Sequence, residues 1–202
     1  MDRKLTYLAL GDSYTIGEAV LLQQSFPYQV IQTLREKGHH FAAAEIIAKT
    51  GWTTDELWAG IGDYQFLPKY DFVSLLIGVN NQYRGRSIEE YTTDFEKLLA
   101  KALSLADNKK EHVVVLSIPD YSVTPFSKES DREKIAKEID IFNTANRALA
   151  TQYKVQYVEI TEGTRAAAQD PSLVAEDGLH PSRKEYQKWA AKVVAIIEKQ
   201  LK

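Results

Sequence analysis

The sequence predicts an α/β fold: a three-layer sandwich in which helices cover both faces of a parallel sheet of about five strands. Apolar runs of strand length alternate along the chain with longer segments of helical periodicity, and this alternation is typical of parallel sheets. The chain has 202 residues, of which 44% are hydrophobic, enough for one buried core. We therefore expect a single domain over residues 1–202.

Five short runs rich in aliphatic or aromatic residues are the predicted strands. They occupy residues 5–10, 42–48, 72–77, 113–118 and 155–160. The first run ends at Gly11, a residue that often interrupts a strand. Because longer segments separate the runs, we expect right-handed crossover connections between parallel strands.

Helical periodicity predicts the intervening helices. Residues 25–37 contain Pro27 near their start and are followed by Gly38, the order in which helix start and stop signals occur. Residues 89–105 and 132–153 also have helical spacing. The two segments lie between predicted strands, as crossover helices do.

The C-terminal helix carries the clearest signals. Ser182 and Glu185 have the Ser-x-x-Glu spacing of a capping box, which predicts that a helix begins here. The apolar positions that follow form one core-facing stripe: Tyr186, Trp189, Val193, Ile196 and Ile197.

Composition excludes several classes of function. The formal net charge is -3, and basic residues alternate with acidic ones, as in residues 128–138, so we expect no nucleic acid partner. The absence of cysteine excludes disulfides, thiolate nucleophiles and cysteine-ligated zinc. The four histidines show no helical His-x-x-x-His spacing and no acidic cluster is present, so we expect no metal site.

Targeting signals are sparse. No apolar stretch approaches the ~20 residues of a transmembrane helix, so we expect no membrane span. Residues 1–4 are followed by no apolar signal-peptide region, and the cytoplasm is the default expectation, with export as the alternative if a leader was removed. The sequence makes no prediction of oligomeric state.

Three segments that follow the first three strands carry the candidate chemistry. They are Gly11-Asp12-Ser13, Thr50-Gly51-Trp52 and Gly78-Val79-Asn80-Asn81. In open parallel sheets ligands bind beyond the carboxyl ends of the strands. We therefore expect these segments to meet at one crevice, where Asp12 is interpreted as a turn or helix-start residue.

A serine nucleophile needs a histidine base, and His180 is the candidate. His39, His40 and His112 are interpreted as solvent-facing. His180 precedes Pro181, which biases it towards an extended conformation at the end of a loop.

Asp177 is close enough in sequence to accept a hydrogen bond from His180 Nδ1 and leave Nε2 free to take the proton of Ser13. The alternative is that Asp177 and Gly178 form only a turn and that His180 merely packs.

A tetrahedral intermediate also needs hydrogen-bond donors for its oxyanion. The backbone N–H groups of Ser13 and Gly51 and the side-chain amide of Asn80 are the candidates. The alternatives are a helix cap at Ser13, a turn at Gly51 and an Asx-turn at Asn80.

Aromatic residues adjoin these segments. Trp52, Tyr83 and Tyr121 are candidates for lining a substrate pocket, with Tyr121 in a turn-rich loop over residues 119–126. The alternatives are that Trp52 and Tyr83 pack on neighbouring helices and that the loop is a surface connection.

In this order the motifs resemble those of the SGNH hydrolase superfamily, also called the GDSL lipase/esterase family. Gly11-Asp12-Ser13-Tyr14 is similar to the first block, Gly51 to the glycine of the second, Gly78-Val79-Asn80-Asn81 to the third, and Asp177-Gly178-Leu179-His180-Pro181 to the last. The blocks span residues 11–181, nearly the whole chain.

The resemblance implies a flavodoxin-like α/β/α sandwich with about five parallel strands. It also implies Ser13 as nucleophile, Asp177 and His180 as its triad partners, and Ser13, Gly51 and Asn80 as the oxyanion hole, without a cofactor or metal. In the third block Asn81 replaces the usual Asp, and the resemblance does not indicate which contacts then hold this loop. Thr15 stands where a Gly-x-Ser-x-Gly elbow has its second glycine, which argues against the α/β-hydrolase fold.

The expected function is hydrolysis of a small-molecule ester, with short acyl groups preferred because no long apolar insertion suggests a deep tunnel. Within the family the alternatives are a carbohydrate O-acetyl esterase, a lysophospholipase and a thioesterase. The alternative from another class is a non-catalytic binding module on a flavodoxin-like fold.

Overall fold

The computed structural model describes residues 3–201 as a five-stranded, fully parallel sheet with the strand order β2-β1-β3-β4-β5. Met1 and Asp2, which belong to the charged start of the sequence, and Lys202 lie outside the described residues. The strands are β1 (Tyr7–Asp12), β2 (Glu45–Lys49), β3 (Phe72–Leu76), β4 (Val113–Leu116) and β5 (Gln156–Val158). The predicted α/β class, with about five parallel strands, is confirmed.

Burial follows position in the sheet. The central strands β1, β3 and β4 are buried along their whole length, whereas the edge strands β2 and β5 are partly exposed. Strands covered by helices on both faces need apolar residues on both sides, which explains their nearly continuous apolar runs.

Within residues 3–201, eight α-helices connect and cover these strands. They are α1 (Ser13–Ile16), α2 (Phe26–Glu36), α3 (Thr54–Gly62), α4 (Val79–Tyr83), α5 (Ile88–Leu105), α6 (Arg132–Tyr153), α7 (Thr161–Arg165) and α8 (Arg183–Gln200). Helices α2 and α8 pack together in one layer, and α3, α5 and α6 pack in the other. Of these, α1, α3, α4 and α7 were not predicted, because helices of four to nine residues are too short to show a clear apolar stripe.

The predicted capping box at the start of α8 is wrong. Ser182 does precede the first helical residue, but its hydroxyl donates to the carbonyl oxygen of Ser172 at 2.7 Å. Glu185 is buried and accepts from Trp189 Nε1 at 2.9 Å, so its carboxylate does not return to the backbone of Ser182.

The interpretation of His112 as solvent-facing is also wrong. Its ring stacks on Phe72 with the centroids 4.5 Å apart, and Nδ1 lies 2.6 Å from the carbonyl oxygen of Asp71. Phe72 is the first residue of β3, so His112 lies at the amino ends of the strands, away from the predicted crevice.

The register of the sheet aligns the ends of the three strands that precede the candidate segments. Gly11 of β1 pairs with Ala48 of β2 and with Leu76 of β3. The chain therefore leaves all three strands at the same edge of the sheet, next to the β1–β3 pair where the strand order reverses, and ligands bind at such switch points. None of the helices in the described part of the chain is long and apolar enough to cross a bilayer.

Candidate active site

A cavity of about 100 Å³ lies at this edge of the sheet. Its lining combines residues from the first, third and last sequence blocks with the loop that follows β4: Ser13, Tyr14, Val79, Asn80, Tyr83, Tyr121, Phe126, Leu179 and His180. Ser13, Asn80 and His180 are far apart in sequence, and the fold places them around one small space.

Ser13 begins the short helix α1 directly after β1. Asp12 is the N-cap of this helix, and its carboxylate accepts from the N–H of Tyr14 at 3.0 Å, so the helix-start interpretation of Asp12 is confirmed. As the first helical residue, Ser13 has an N–H group without an intrahelical acceptor. The residue is only 4% exposed but still lines the cavity.

His180 is fixed through both its ring and its backbone. Its Nδ1 lies 2.5 Å from Asp177 Oδ2, while Asp177 Oδ1 accepts from the N–H groups of Leu179 and His180, both at 3.0 Å. The carbonyl oxygen of His180 accepts from Ala175 N at 2.7 Å. The ring orientation therefore leaves Nε2 as the nitrogen without a carboxylate partner.

Burial raises the pKa of Asp177, but the hydrogen bonds from His180 and from the two N–H groups outweigh burial and hold the pKa below its ordinary value. Asp177 therefore stays ionised and favours the tautomer of His180 with a proton on Nδ1.

In the described part of the chain, no hydrogen bond joins Ser13 Oγ to the His180 ring, although both residues line the cavity. Catalytic hydrogen bonds are often long before substrate binds and tighten in the reacting complex. The arrangement brings the nucleophile candidate and the base candidate to the same space without a direct bond.

The loop of Gly51 lies beside α1. Gly51 has a φ of +82°, a conformation that a residue with a side chain rarely adopts. Its carbonyl oxygen accepts from Arg84 Nη2 at 2.6 Å, and the neighbouring Thr50 hydroxyl donates to Glu18. The N–H group of Gly51 makes no hydrogen bond to any other group in residues 3–201.

Asn80, in the third block, contacts residues of the first and second segments. Its Nδ2 donates to the carbonyl oxygen of Trp52 at 3.0 Å and lies 3.4 Å from Asp12 Oδ2. Burial raises the pKa of Asp12 to about 7, partly offset by the hydrogen bonds from Tyr14 N and from Asn80. The Asn80 amide is thus held in place at the side of the cavity where Asp12 is buried.

The aromatic candidates separate into two groups. Tyr83 and Tyr121 line the cavity, with their ring centroids 6.2 Å apart, and Phe126 lies about the same distance from each. The ring of Trp52 packs instead against Gly60 of α3, so closely that a Cβ at Gly60 would lie 2.2 Å from it. Trp52 is not among the residues that line the cavity.

Tyr14 is a site residue that the sequence did not indicate: its ring packs against His180 with the centroids 4.9 Å apart. The position directly after the candidate nucleophile was the available signal. Phe126, from the loop over residues 119–126, and Val79, from the third block, also line the cavity.

A larger open groove of about 870 Å³ lies beside the edge strand β5 and contains none of the candidate residues. Size alone therefore does not locate the active site in this fold. The small cavity is the stronger candidate because it combines a hydroxyl group, an imidazole and an amide.

Comparison with known proteins agrees with the sequence motifs. The chain matches the model of the GDSL-like lipase/acylhydrolase family over residues 9–188. A search of curated proteins finds no significant match.

Solved structures include several with the same fold. The lipase/acylhydrolase from Enterococcus faecalis is 17% identical, with 97% of this chain and 96% of that chain covered and a TM-score of 0.77. TesA is 20% identical, with 96% and 98% covered and a TM-score of 0.74. Axe2, an acetylxylan esterase from Geobacillus stearothermophilus, is 17% identical, with 96% and 94% covered and a TM-score of 0.76.

At these identities the structures show a common fold, whereas the match to the family model covers most of the sequence. The chain belongs to the GDSL-like lipase/acylhydrolase family, within the SGNH hydrolases, and is an enzyme of the esterase/acylhydrolase type.

Proposed function

We propose that this enzyme hydrolyses carboxylic esters with short acyl groups through Ser13, His180 and Asp177. The observation that carries the proposal is the cavity itself: Ser13, Asn80 and His180 line a space of about 100 Å³, while Asp177 Oδ2 lies 2.5 Å from His180 Nδ1. A space of this size suits an acetyl to butyryl group better than a long chain.

The first half of the reaction forms an acyl-enzyme. Ser13 Oγ attacks the carbonyl carbon of the ester as His180 Nε2 takes the hydroxyl proton. The N–H groups of Ser13 and Gly51 and the amide of Asn80 donate to the oxyanion that forms. The intermediate collapses, the C–O bond to the alcohol breaks, and His180 returns the proton to the leaving alkoxide.

The second half releases the acid. Water attacks the acyl carbon while His180 takes one of its protons, and a second tetrahedral intermediate forms. Ser13 Oγ then leaves and recovers the proton from His180. Asp177 stays ionised throughout and stabilises the imidazolium that forms in each half.

A carbohydrate O-acetyl esterase is the second candidate. The rings of Tyr83 and Phe126 are exposed at the mouth of the cavity, where aromatic faces can stack on a sugar ring. The similarity in fold to an acetylxylan esterase adds to this candidate. It requires the same residues and differs only in the alcohol part of the ester.

The first experiment measures hydrolysis of p-nitrophenyl esters from acetate to decanoate and of acetylated xylo-oligosaccharides, with Ser13→Ala as the control. We expect turnover of short esters and a loss of at least about 10³-fold in kcat for the variant. Equal activity of Ser13→Ala would contradict the proposal. Absence of turnover together with absence of Ser13 labelling by a phosphonate would favour the binding-module alternative.

A further inference from the structure

The lining of the cavity is buried on one side, called here the closed end, and exposed on the other, called the open end. Tyr121 is only 5% exposed, whereas Tyr83 and Phe126 are 59% and 47% exposed. All three line the cavity, so Tyr121 belongs to its buried side, together with Tyr14 and Val79, and the other two rings belong to its exposed side.

Hydrogen bonds hold Tyr121 both at its hydroxyl group and at its backbone. Its hydroxyl donates to Gln82 Oε1 at 2.9 Å, and Gln82 Nε2 in turn donates to Glu138 Oε2 on α6 at 2.8 Å. Burial raises the pKa of Tyr121 to about 12, so the phenol keeps its proton and continues to donate.

The backbone of Tyr121 is held as firmly as its hydroxyl. Its carbonyl oxygen accepts from the hydroxyls of Thr124 and Ser127, at 2.7 and 2.9 Å. The ring therefore has little freedom to move aside for a longer ligand.

The chemistry of the reaction indicates which part of an ester occupies the closed end. The acyl group stays bonded to Ser13 through the intermediate, whereas the alcohol must leave before water enters. The open end beside the exposed rings of Tyr83 and Phe126 suits the departing alcohol, and the space in front of Tyr121 suits the acyl chain.

We infer that the buried ring of Tyr121 limits the length of the acyl chain this enzyme accepts. The inference rests on the proposed function and adds the residue that determines acyl specificity. It predicts that kcat/KM of the wild-type enzyme falls between p-nitrophenyl butyrate and octanoate by about tenfold or more.

The test compares Tyr121→Ala and Tyr121→Leu with Tyr121→Phe. The two smaller residues open the closed end, so the ratio of kcat/KM for octanoate over acetate should rise about tenfold or more. Tyr121→Phe keeps the ring and should leave the ratio within about threefold of the wild type. Because loss of a buried ring also destabilises the fold, Tyr121→Leu retains more of the packing, and thermal melts accompany both variants.

A matched control is Tyr64→Ala, an exposed tyrosine that lines a separate surface groove with Trp58 and Phe66. Its chain-length profile should equal that of the wild type. Tyr83→Ala should alter KM for esters with bulky alcohols but leave the preference for acyl length in place.

Inactivation of Ser13 by ethyl and octyl phosphonates provides a readout without turnover, and octyl phosphonate should react faster with Tyr121→Ala than with the wild type. An unchanged profile in folded Tyr121 variants would overturn the inference while leaving the esterase mechanism intact. Wild-type hydrolysis of octanoate as fast as butyrate would also overturn it, whatever the variants do. Ester hydrolysis that does not depend on Ser13 would instead refute the proposed function, and the inference with it.

Discussion

The side-chain amide of Asn81 forms a reciprocal pair of hydrogen bonds with Thr54: its Oδ1 accepts from Thr54 N at 3.0 Å, and its Nδ2 donates to Thr54 Oγ1 at 2.8 Å. Both residues are buried. The pair joins α4, which carries Asn80, to the first residue of α3. It therefore supports the segment between β2 and α3 that contains Gly51.

This pair predicts the effect of changing Asn81. With Asn81→Asp, the carboxylate still accepts from Thr54 N, and the Thr54 hydroxyl can turn to donate. With Asn81→Leu, both buried groups of Thr54 lose their partner, which should lower the free energy of unfolding by about 1–3 kcal/mol. Urea denaturation of the two variants checks the prediction, and equal midpoints for Asn81→Leu and the wild type would contradict it.

The buried carboxyl group of Asp12 predicts a second effect, on stability as a function of pH. Burial raises its pKa in the folded protein to about 7, from an ordinary value of 3.8. The protonated form is thus favoured by folding, and the stability it contributes is fully present below about pH 4 and is lost as the pH rises through about 7.

Asp12→Asn keeps a helix-capping side chain without an ionisable group. We expect the difference in unfolding free energy between variant and wild type to grow in favour of the variant by a few kcal/mol from pH 4 to pH 8. Urea titrations across this range measure it. A difference that does not change with pH would show that Asp12 titrates normally.

The central sheet and the main helices were predictable because long apolar periodicity reflects burial. The positions of β1 and β3 followed from this rule, and the motifs around Ser13, Asn80 and His180 followed from their order along the chain. Helix α3 was not predictable, since a nine-residue helix gives little periodic signal. The sequence left open whether Trp52 lines the pocket or packs on a helix, because side-chain direction depends on tertiary contacts, and the structure places its ring against Gly60 of α3.

The candidate site was also predictable only in part. The link between Asp177 and His180 is local in sequence, and the three-residue spacing was sufficient to predict it. The chain from Tyr121 through Gln82 to Glu138 joins three distant segments, and no local pattern indicates it. Contacts between polar residues that are distant in sequence produce no pattern that can be recognised in a single sequence.

The contact between Asp177 and His180 yields a third prediction. In Asp177→Asn the amide offers a donor to Nδ1, which favours the tautomer with the proton on Nε2, and this nitrogen then cannot accept the proton of Ser13. We expect kcat to fall by about 10³–10⁴-fold, with a far smaller change in KM. Steady-state kinetics on p-nitrophenyl acetate test it, and a kcat within tenfold of the wild type would refute Asp177 as the partner of the base.

The acid limb of the pH profile follows from the same pair. The pKa of Asp177 is held below its ordinary value, so this carboxylate stays ionised as the solution is acidified through the range in which an imidazole takes up a proton. A general base must be unprotonated to act, so the activity of the wild type should fall on the acid side with the uptake of one proton rather than two. Activity that does not fall on acidification would argue against a histidine as the base.

The ring of Tyr14 lies against His180 with the centroids 4.9 Å apart and the planes inclined by 54°. An aromatic ring in this position interacts more favourably with the imidazolium of the transition state than with neutral imidazole, by about 1 kcal/mol. Tyr14→Leu should therefore lower kcat by about five- to tenfold while KM changes little, whereas Tyr14→Phe keeps the ring and should retain most of kcat. Equal losses in both variants would assign the effect to the hydroxyl group of Tyr14 instead. An unchanged kcat in Tyr14→Leu would show that the ring of Tyr14 only packs against His180 and does not stabilise its charged form.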